Sequence, residues 1–304
     1  MTVLVVGGTG RLGRLLVRSL TAEGERIRVL TRDPAAAGAL RAQGVEAVVG
    51  DLRDPGAVRR AVAGCAAIVA AASGFGPMGT SSPQNVDRDG NLALFEAARQ
   101  AGVDQVVLVS MHGAAPDAPL ELLRMKYAAE QALIASGVSW TIIRPTAFLE
   151  TYLDVVAQPM RRRGATLVFG RGDVAVDFVS VTDVAALIRV ALRDPGLRGR
   201  AIDWGGAEHT LNELSDAIHA AAGRPGPTRH VPLTLLRVAS VVARPFSPFA
   251  SRVTQAAVEL YVRPARFDSG PERARHPELP VTSLAAAIAA EWPEGRPLDR
   301  RPAS

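Results

Sequence analysis

Four glycines lie close together near the start of the chain: Gly7, Gly8, Gly10 and Gly13, interleaved with Thr9, Arg11 and Leu12. Gly8, Gly10 and Gly13 fit the spacing G-x-G-x-x-G, and Gly7, Gly10 and Gly13 fit G-x-x-G-x-x-G. Glycine lets a backbone bend sharply and lets a ligand come close, because no Cβ stands in the way. Before the glycines, Thr2 to Val6 is a β-branched apolar run, the pattern of a strand buried on both faces. After them, Leu12, Leu15, Leu16 and Leu20 recur at helical spacing. The glycines therefore form a strand-to-helix turn. The helix start offers unpaired N–H groups and the positive end of its dipole, and together these suit a diphosphate.

A second candidate is a single side chain. Of the 35 basic residues only Lys126 is lysine. Arginine cannot replace lysine where a compact, deprotonatable ammonium is needed, so a lysine that survives such a bias is a candidate for chemistry. Ser110, His112 and Tyr152 are candidate substrate contacts, each with a plainer alternative: a strand end, a loop histidine and a half-buried helix residue. Arg144 and Asp183 read as architectural residues, through an ion pair or a helix cap.

The elements that position these residues alternate. Ile27–Leu30 reads as a second strand, ending in Thr31, Arg32, Asp33 and Pro34. In a dinucleotide fold this strand end faces the adenosine ribose, about 20 residues past the glycines. An acidic residue there would favour NAD, whereas Thr31 followed by Arg32 favours the 2′-phosphate of NADP. Asp33 is either the acidic residue displaced by one position or a turn residue before Pro34. A helix over 35–42 and a strand over 46–49 follow, with Asp51 and Leu52 at the strand's carboxyl end, and Asp54 suited to cap the next helix. Residues 67–71 read as a fourth strand, and the small side chains of Ala70, Ala71 and Ala72 would let a cofactor lie against the backbone. A Gly/Pro/Ser loop over 75–83, a helix over 85–101, a strand over 105–109, a helix over 119–136 carrying Lys126, and a strand over 140–143 complete the pattern. Pro145 and Thr146 follow as further cofactor contacts.

This alternation specifies an α/β, Rossmann-type doubly wound parallel sheet. The dinucleotide-binding domain is expected over 1–145, with 176–204 packing back on it. A smaller, partly discontinuous substrate or lid lobe is expected over 146–175 and 205–293, where Pro and Gly increase, and residues 294–304 read as a tail. Helices are expected over 148–162, 182–192, 211–222, 233–243 and 249–262, with strands over 166–168, 176–179 and 201–204.

Composition narrows the function. At 304 residues the chain can bury a proper core. Its net charge of +5 comes from scattered arginines without interleaved aromatics, which reads as a solvated surface and not a nucleic-acid interface. Apolar stretches are interrupted before membrane-spanning length, and a first strand beginning at Thr2 leaves no room for a signal peptide. Cys65, the single cysteine, excludes an internal disulfide and a cysteine metal cluster, and reads as a small buried residue. No metal site and a cytoplasmic location are expected.

GGTGRLG, TRDP, GDLRDP, the alanine-rich fourth strand, Ser110, KYAAEQALIASGVSWTIIRP and DFVSVTDVAALI together resemble the short-chain dehydrogenase/reductase superfamily. Within it they are most similar to the atypical, NmrA-like, NAD(P)H-binding group. The resemblance covers about residues 1–222. In that superfamily a Tyr-x-x-x-Lys pair on one helix face supplies the proton as hydride arrives. Lys126 matches the lysine, but Leu122 stands where the tyrosine would be, and Tyr127 lies about 100° around the helix. The resemblance implies that Lys126 binds the nicotinamide ribose and donates a proton where the reaction needs one.

Two functions fit. One is an NADPH-dependent reductase, with NAD as the lesser cofactor, acting on a small apolar acceptor such as a quinone, enone or activated carbonyl. These take hydride with less need for a protein acid, and apolar C-terminal helices would wall off the pocket. The alternative is a non-catalytic NADP(H) sensor that binds a protein partner, for which Leu122 is equally suitable. A homo-oligomer is compatible with both.

Overall fold

The computed structural model describes residues 1–75, 81–160, 164–223, 225–243, 246–262 and 267–292. The expected loop over 75–83 lies largely outside the described residues, as do the end of the helix expected over 148–162 and the whole tail 294–304. The chain divides into two units, Met1–Pro145 with Val184–Trp204, and Thr146–Asp183 with Gly205–Ser304.

The first unit is built on a seven-stranded, wholly parallel sheet: β1 (Thr2–Val6), β2 (Arg26–Thr31), β3 (Glu46–Val49), β4 (Ala67–Ala70), β5 (Gln105–Val109), β6 (Trp140–Pro145) and β10 (Arg200–Trp204). Their order is β10-β6-β5-β4-β1-β2-β3. The apolar runs explain the central strands: Val3, Leu4, Val5 and Val6 of β1, and all of β4 and β5, are buried. Each fully buried Val, Leu or Ile among them contributes roughly 1.5–3 kcal/mol of burial. The order reverses between β1 and β4, and open α/β sheets bind ligands beyond the strand ends at such a reversal.

Helices α1 (Arg11–Ala22), α2 (Pro34–Ala42), α3 (Pro55–Val62), α4 (Asn91–Gln100) and α5 (Glu121–Ala135) connect these strands. Asp33 and Asp54 each cap a helix that begins at proline, accepting from the backbone N–H of Ala35 and Gly56 at 2.8 Å. Asp33 is thus the turn residue of the two readings. The helix expected over 85–101 differs in kind. Pro83–Gly90 is π-helical, started by a capping box between Ser82 and Asn85, and only then continues as α4. π-Turns are rare and concentrate at functional sites, and this one carries the buried Asp87.

The second unit contains the short strand β7 (Ala147–Phe148), α6 (Leu149–Ala157), β8 (Thr166–Phe169) and β9 (Val176–Val179). Helix α7 (Val181–Ala191) contains the division between the units. Beyond β10 come β11 (Ala207–His209), α8 (Leu211–Ala221), β12 (Thr228–Val231), α9 (Leu233–Ala243), α10 (Pro248–Val262), α11 (Gly270–Arg275) and α12 (Leu284–Glu291). β11-β9-β7 form one small sheet and β12-β8 another. Residues 176–183 therefore belong to the second unit and not with 184–204, because β9 pairs with β7 and β11. The core of this unit gathers Leu149, Leu153, Val156, Phe178, Leu214, Ile218 and Ile288. Asp183 is architectural: its carboxylate accepts from the Thr282 backbone N–H at 3.0 Å and lies 3.6 Å from the Arg273 guanidinium.

The short elements β7, β11, β12, α11 and α12 escape a pattern-based reading because they span too few residues to show a period.

Candidate functional site

The glycine turn meets the demand for space at several points. Gly7 has φ +89°, and a Cβ on it would stand 2.8 Å from the Ala71 backbone, across the reversal between β1 and β4. On Gly8 a Cβ would meet Val29, and on Gly13 it would lie 2.1 Å from the Gly7 carbonyl oxygen. Gly10 is different: it is exposed, and its nearest such neighbour is the Gly7 oxygen at 3.3 Å. Gly10 caps α1 without any side-chain hydrogen bond, and no acidic residue occupies the first turn. The helix start, with Thr9, Arg11, Leu12 and Gly13, is therefore a cradle of backbone N–H groups. These residues fit a dinucleotide diphosphate.

At the end of β2, Thr31 is buried and Arg32 is exposed, its guanidinium donating to the Ser81 hydroxyl at 2.7 Å. Asp33, also exposed, caps α2 through Oδ1, so Arg32 and Asp33 are the exposed polar side chains at this strand end. Asp51 is clamped by Arg53, Nη2 to Oδ2 at 2.7 Å, and that hydrogen-bonded guanidinium holds its carboxyl below the usual range against the opposing effect of burial. Leu52 is buried against Gly90, while Ala70, Ala71 and Ala72 line the end of β4.

The helix α5 places Lys126 inside the protein. Its ammonium donates to the Val109 carbonyl at 2.9 Å and pairs with Asp87 at 3.0 Å, and Asp87 also accepts from the Gly74 N–H at 2.7 Å. Lys126 is 5% exposed and Asp87 is fully buried, so this pair is shielded from solvent. The lysine singled out by its uniqueness is thus buried and paired. Asp87 escaped notice because it lies far away in sequence, on a segment without an α-helical period.

One turn beyond Lys126 on the same helix face is Glu130, which is fully buried. It accepts from the Ser110 hydroxyl and, through two bonds of 2.9 and 2.5 Å, from Arg144. That pairing raises the Arg144 pKa further, with Glu130 the main cause. Arg144 also lies 3.9 Å from Asp203, and Asp203 Oδ1 is 2.7 Å from His112 Nδ1. Ser110, His112, Glu130, Arg144 and Asp203 thus form one chain of polar contacts at the carboxyl ends of β5, β6 and β10. Ser110 and His112 are held in place by backbone bonds to Ile143 and Pro145. Glu130 could have been suspected from an acid four residues after Lys126 on the same helix face, whereas nothing local signals Asp203.

Thr146 and Tyr152 belong to the second unit. The Thr146 hydroxyl donates to Asp177 at 2.7 Å. Tyr152 packs on Phe178 with ring centroids 5.1 Å apart, and burial pushes its phenol up to about 12. Among the described residues no group of three or more His, Cys, Asp or Glu could hold a metal ion, and no helix is long and apolar enough to cross a membrane.

A family model described as NAD(P)H-binding matches residues 7–195. The chain is 34% identical over 234 residues to an NAD(P)H azoreductase of Xenophilus azovorans, covering 77% of each. It is also 34% identical over 225 residues to a (4-alkanoyl-5-oxo-2,5-dihydrofuran-3-yl)methyl phosphate reductase of Streptomyces griseus subsp. griseus, covering 73% of this chain and 74% of that one. In fold it is similar to the NADPH complex of the quinone oxidoreductase QOR2 from Escherichia coli, with a TM-score of 0.76 at 22% identity over 95% of this chain and 99% of that one. Taken with the glycine cradle and the parallel sheet, these matches establish that the chain belongs to the NAD(P)H-binding family of oxidoreductases.

Proposed function

We propose that the protein is an NADPH-dependent reductase that delivers hydride to a small apolar acceptor, such as a quinone, an enone or an activated carbonyl. The observation that carries this reading is the setting of Lys126. Its ammonium is tied to a buried carboxylate and a carbonyl, and Leu122 stands one turn earlier. The phenol that a neighbouring ammonium would acidify is thus absent, and the lysine remains with a carboxylate and a carbonyl as its partners. Acceptors whose reduced form spreads its negative charge ask least of such a site. The relatives' names agree: one reduces an azo group, the other a furanone whose double bond is conjugated with carbonyls.

When bound, NADPH supplies the hydride. The turn Gly7–Gly13 would hold the diphosphate, and the exposed Arg32 at the end of β2 would meet the 2′-phosphate. Lys126 donates to the Val109 carbonyl and is paired by charge with Asp87, and a remaining N–H serves a ribose hydroxyl. The Ser110 O–H donates its hydrogen bond to Glu130, so Ser110 meets a ligand as a hydrogen-bond acceptor. His112, oriented through Nδ1 by Asp203, is the group assigned to protonate the reduced product.

NADPH oxidation by the purified protein against a panel of quinones and enones tests the reading. Turnover is expected with at least one of these classes. His112→Gln is expected to lower kcat with little change in NADPH affinity. If the protein binds NADPH and no acceptor oxidises it, the reductase assignment fails and a cofactor-sensing regulator becomes the better reading.

A further inference from the structure

Helix α9 has a composition that its surroundings do not explain. Its sequence is LTLLRVASVVA, with Arg237 its only charged residue. Its inward side is narrow: Leu236 and Ser240 are buried, and the Ser240 carbonyl accepts from the Ser251 hydroxyl of α10 at 2.6 Å. The opposite side is apolar and open. Leu235, Val238, Val241 and Val242 are 57%, 59%, 73% and 60% exposed, and Phe246, just past the helix, is 86% exposed. Positions 235, 238 and 242 follow the helical repeat, so these side chains form one stripe. A helix that is apolar all round belongs in a core or against an apolar medium.

The charge of the surrounding sequence identifies that medium. Residues 217–258 contain no Asp or Glu, although the chain has 30 of them, and the same stretch carries Arg224, Arg229, Arg237, Arg244 and Arg252. Arg229 and Arg237 are exposed. A second copy of the chain is a poor occupant, since a two-fold contact sets the same patch against itself and would oppose arginine to arginine. An anionic bilayer surface complements both features: its headgroups neutralise the exposed Arg229 and Arg237 while the aliphatic stripe and Phe246 enter the acyl boundary. Helix α9 has 11 residues, too short to span a bilayer and suited to lie in its plane.

We infer that α9 together with Phe246 forms a docking surface for anionic lipid membranes. This inference is independent of the hydride-transfer reading.

The test is flotation of the full-length protein with phosphatidylglycerol/phosphatidylcholine vesicles and with pure phosphatidylcholine vesicles, at low and high salt. Binding is expected on the anionic vesicles and is expected to weaken with salt. Val238→Asp with Val242→Asp should reduce it by on the order of tenfold or more, because two apolar contacts are lost and negative charge is placed against the headgroups. Arg237→Ala should reduce it about fivefold. Both changes fall on exposed positions, so unchanged thermal unfolding and NADPH affinity would show that the variants remain folded. Absence of binding to anionic vesicles, or binding that Val238→Asp with Val242→Asp leaves intact, overturns the inference. So does a dimer seen without lipid in sedimentation equilibrium and abolished by the same double change, which would make the stripe a subunit interface.

Discussion

Asp87 is the residue on which the interior of the first unit can be tested most sharply. It is fully buried, its Oδ2 accepts from the Gly74 N–H at 2.7 Å, and its Oδ1 pairs with the Lys126 ammonium at 3.0 Å. Asp87→Ala leaves that ammonium buried with one carbonyl partner. Breaking a buried pair from one side costs about 3–5 kcal/mol. For a unit of this size each kcal/mol lowers Tm by about 2–4 °C, so a fall of about 6–20 °C is expected. Lys126→Met should cost a comparable amount by stranding the carboxylate. The double variant should be much less damaged than the sum of the two. With both charges gone, what remains is a small cavity and the unpaired Gly74 N–H, together about 1–3 kcal/mol. The coupling across the cycle should therefore exceed about 2 kcal/mol. Asp87→Asn keeps an acceptor for Gly74 and removes only the charge, so it should fall between wild type and Asp87→Ala. Denaturant unfolding of the four proteins of the cycle, with NADPH affinity measured alongside, provides the assay. Additive losses in the double variant, or a loss below about 1 kcal/mol for Asp87→Ala, would refute a buried ion pair that holds Lys126 in place.

The glycine turn separates binding from folding. Gly10→Val adds a side chain on the exposed side of the turn and should abolish NADPH binding with little loss of stability, whereas Gly13→Ala forces a Cβ to 2.1 Å from the Gly7 oxygen and should disrupt the turn itself. Calorimetry and thermal unfolding of the two variants distinguish these outcomes. Arg32→Ala should weaken NADPH binding about 10- to 100-fold, the worth of a charge-assisted hydrogen bond, and leave NADH nearly unchanged. Equal affinity of the wild-type protein for both cofactors would remove the NADPH preference. Cys65 is 5% exposed and burial raises its thiol pKa, so a thiol reagent at mildly alkaline pH should label it only on unfolding. The stability gained by keeping this thiol protonated is complete below its unfolded pKa and is lost as pH rises through the raised folded value.

The first unit was legible because its signals are local. A strand buried on both faces must be continuously apolar, a helix packed on a sheet must repeat every three to four residues, and a backbone that wraps a diphosphate must be glycine. From these the alternation of β1 to β6, the cradle at Gly7–Gly13 and the importance of Lys126 follow directly. Leu122 likewise shows from sequence alone that the proton cannot come from the tyrosine position. What surrounds Lys126 and Ser110 was decided by tertiary structure. Asp87 reaches the lysine from a π-helical segment that has no α-helical period, and Asp203 reaches His112 from β10, a strand brought beside β6 by the sheet order. The structure also showed Asp33 capping α2 through one carboxylate oxygen, a role that depends on backbone direction at a single residue. The assignment of 176–183 to the second unit had the same origin: a four-residue strand carries no mark of its partner, and β9 is placed by pairing with β7 and β11. Local sequence specifies which segments are helix, strand and turn, because those depend on each residue's own backbone and burial. The polar contacts around Lys126 and Ser110 join segments remote in sequence, and only the packed fold brings them together.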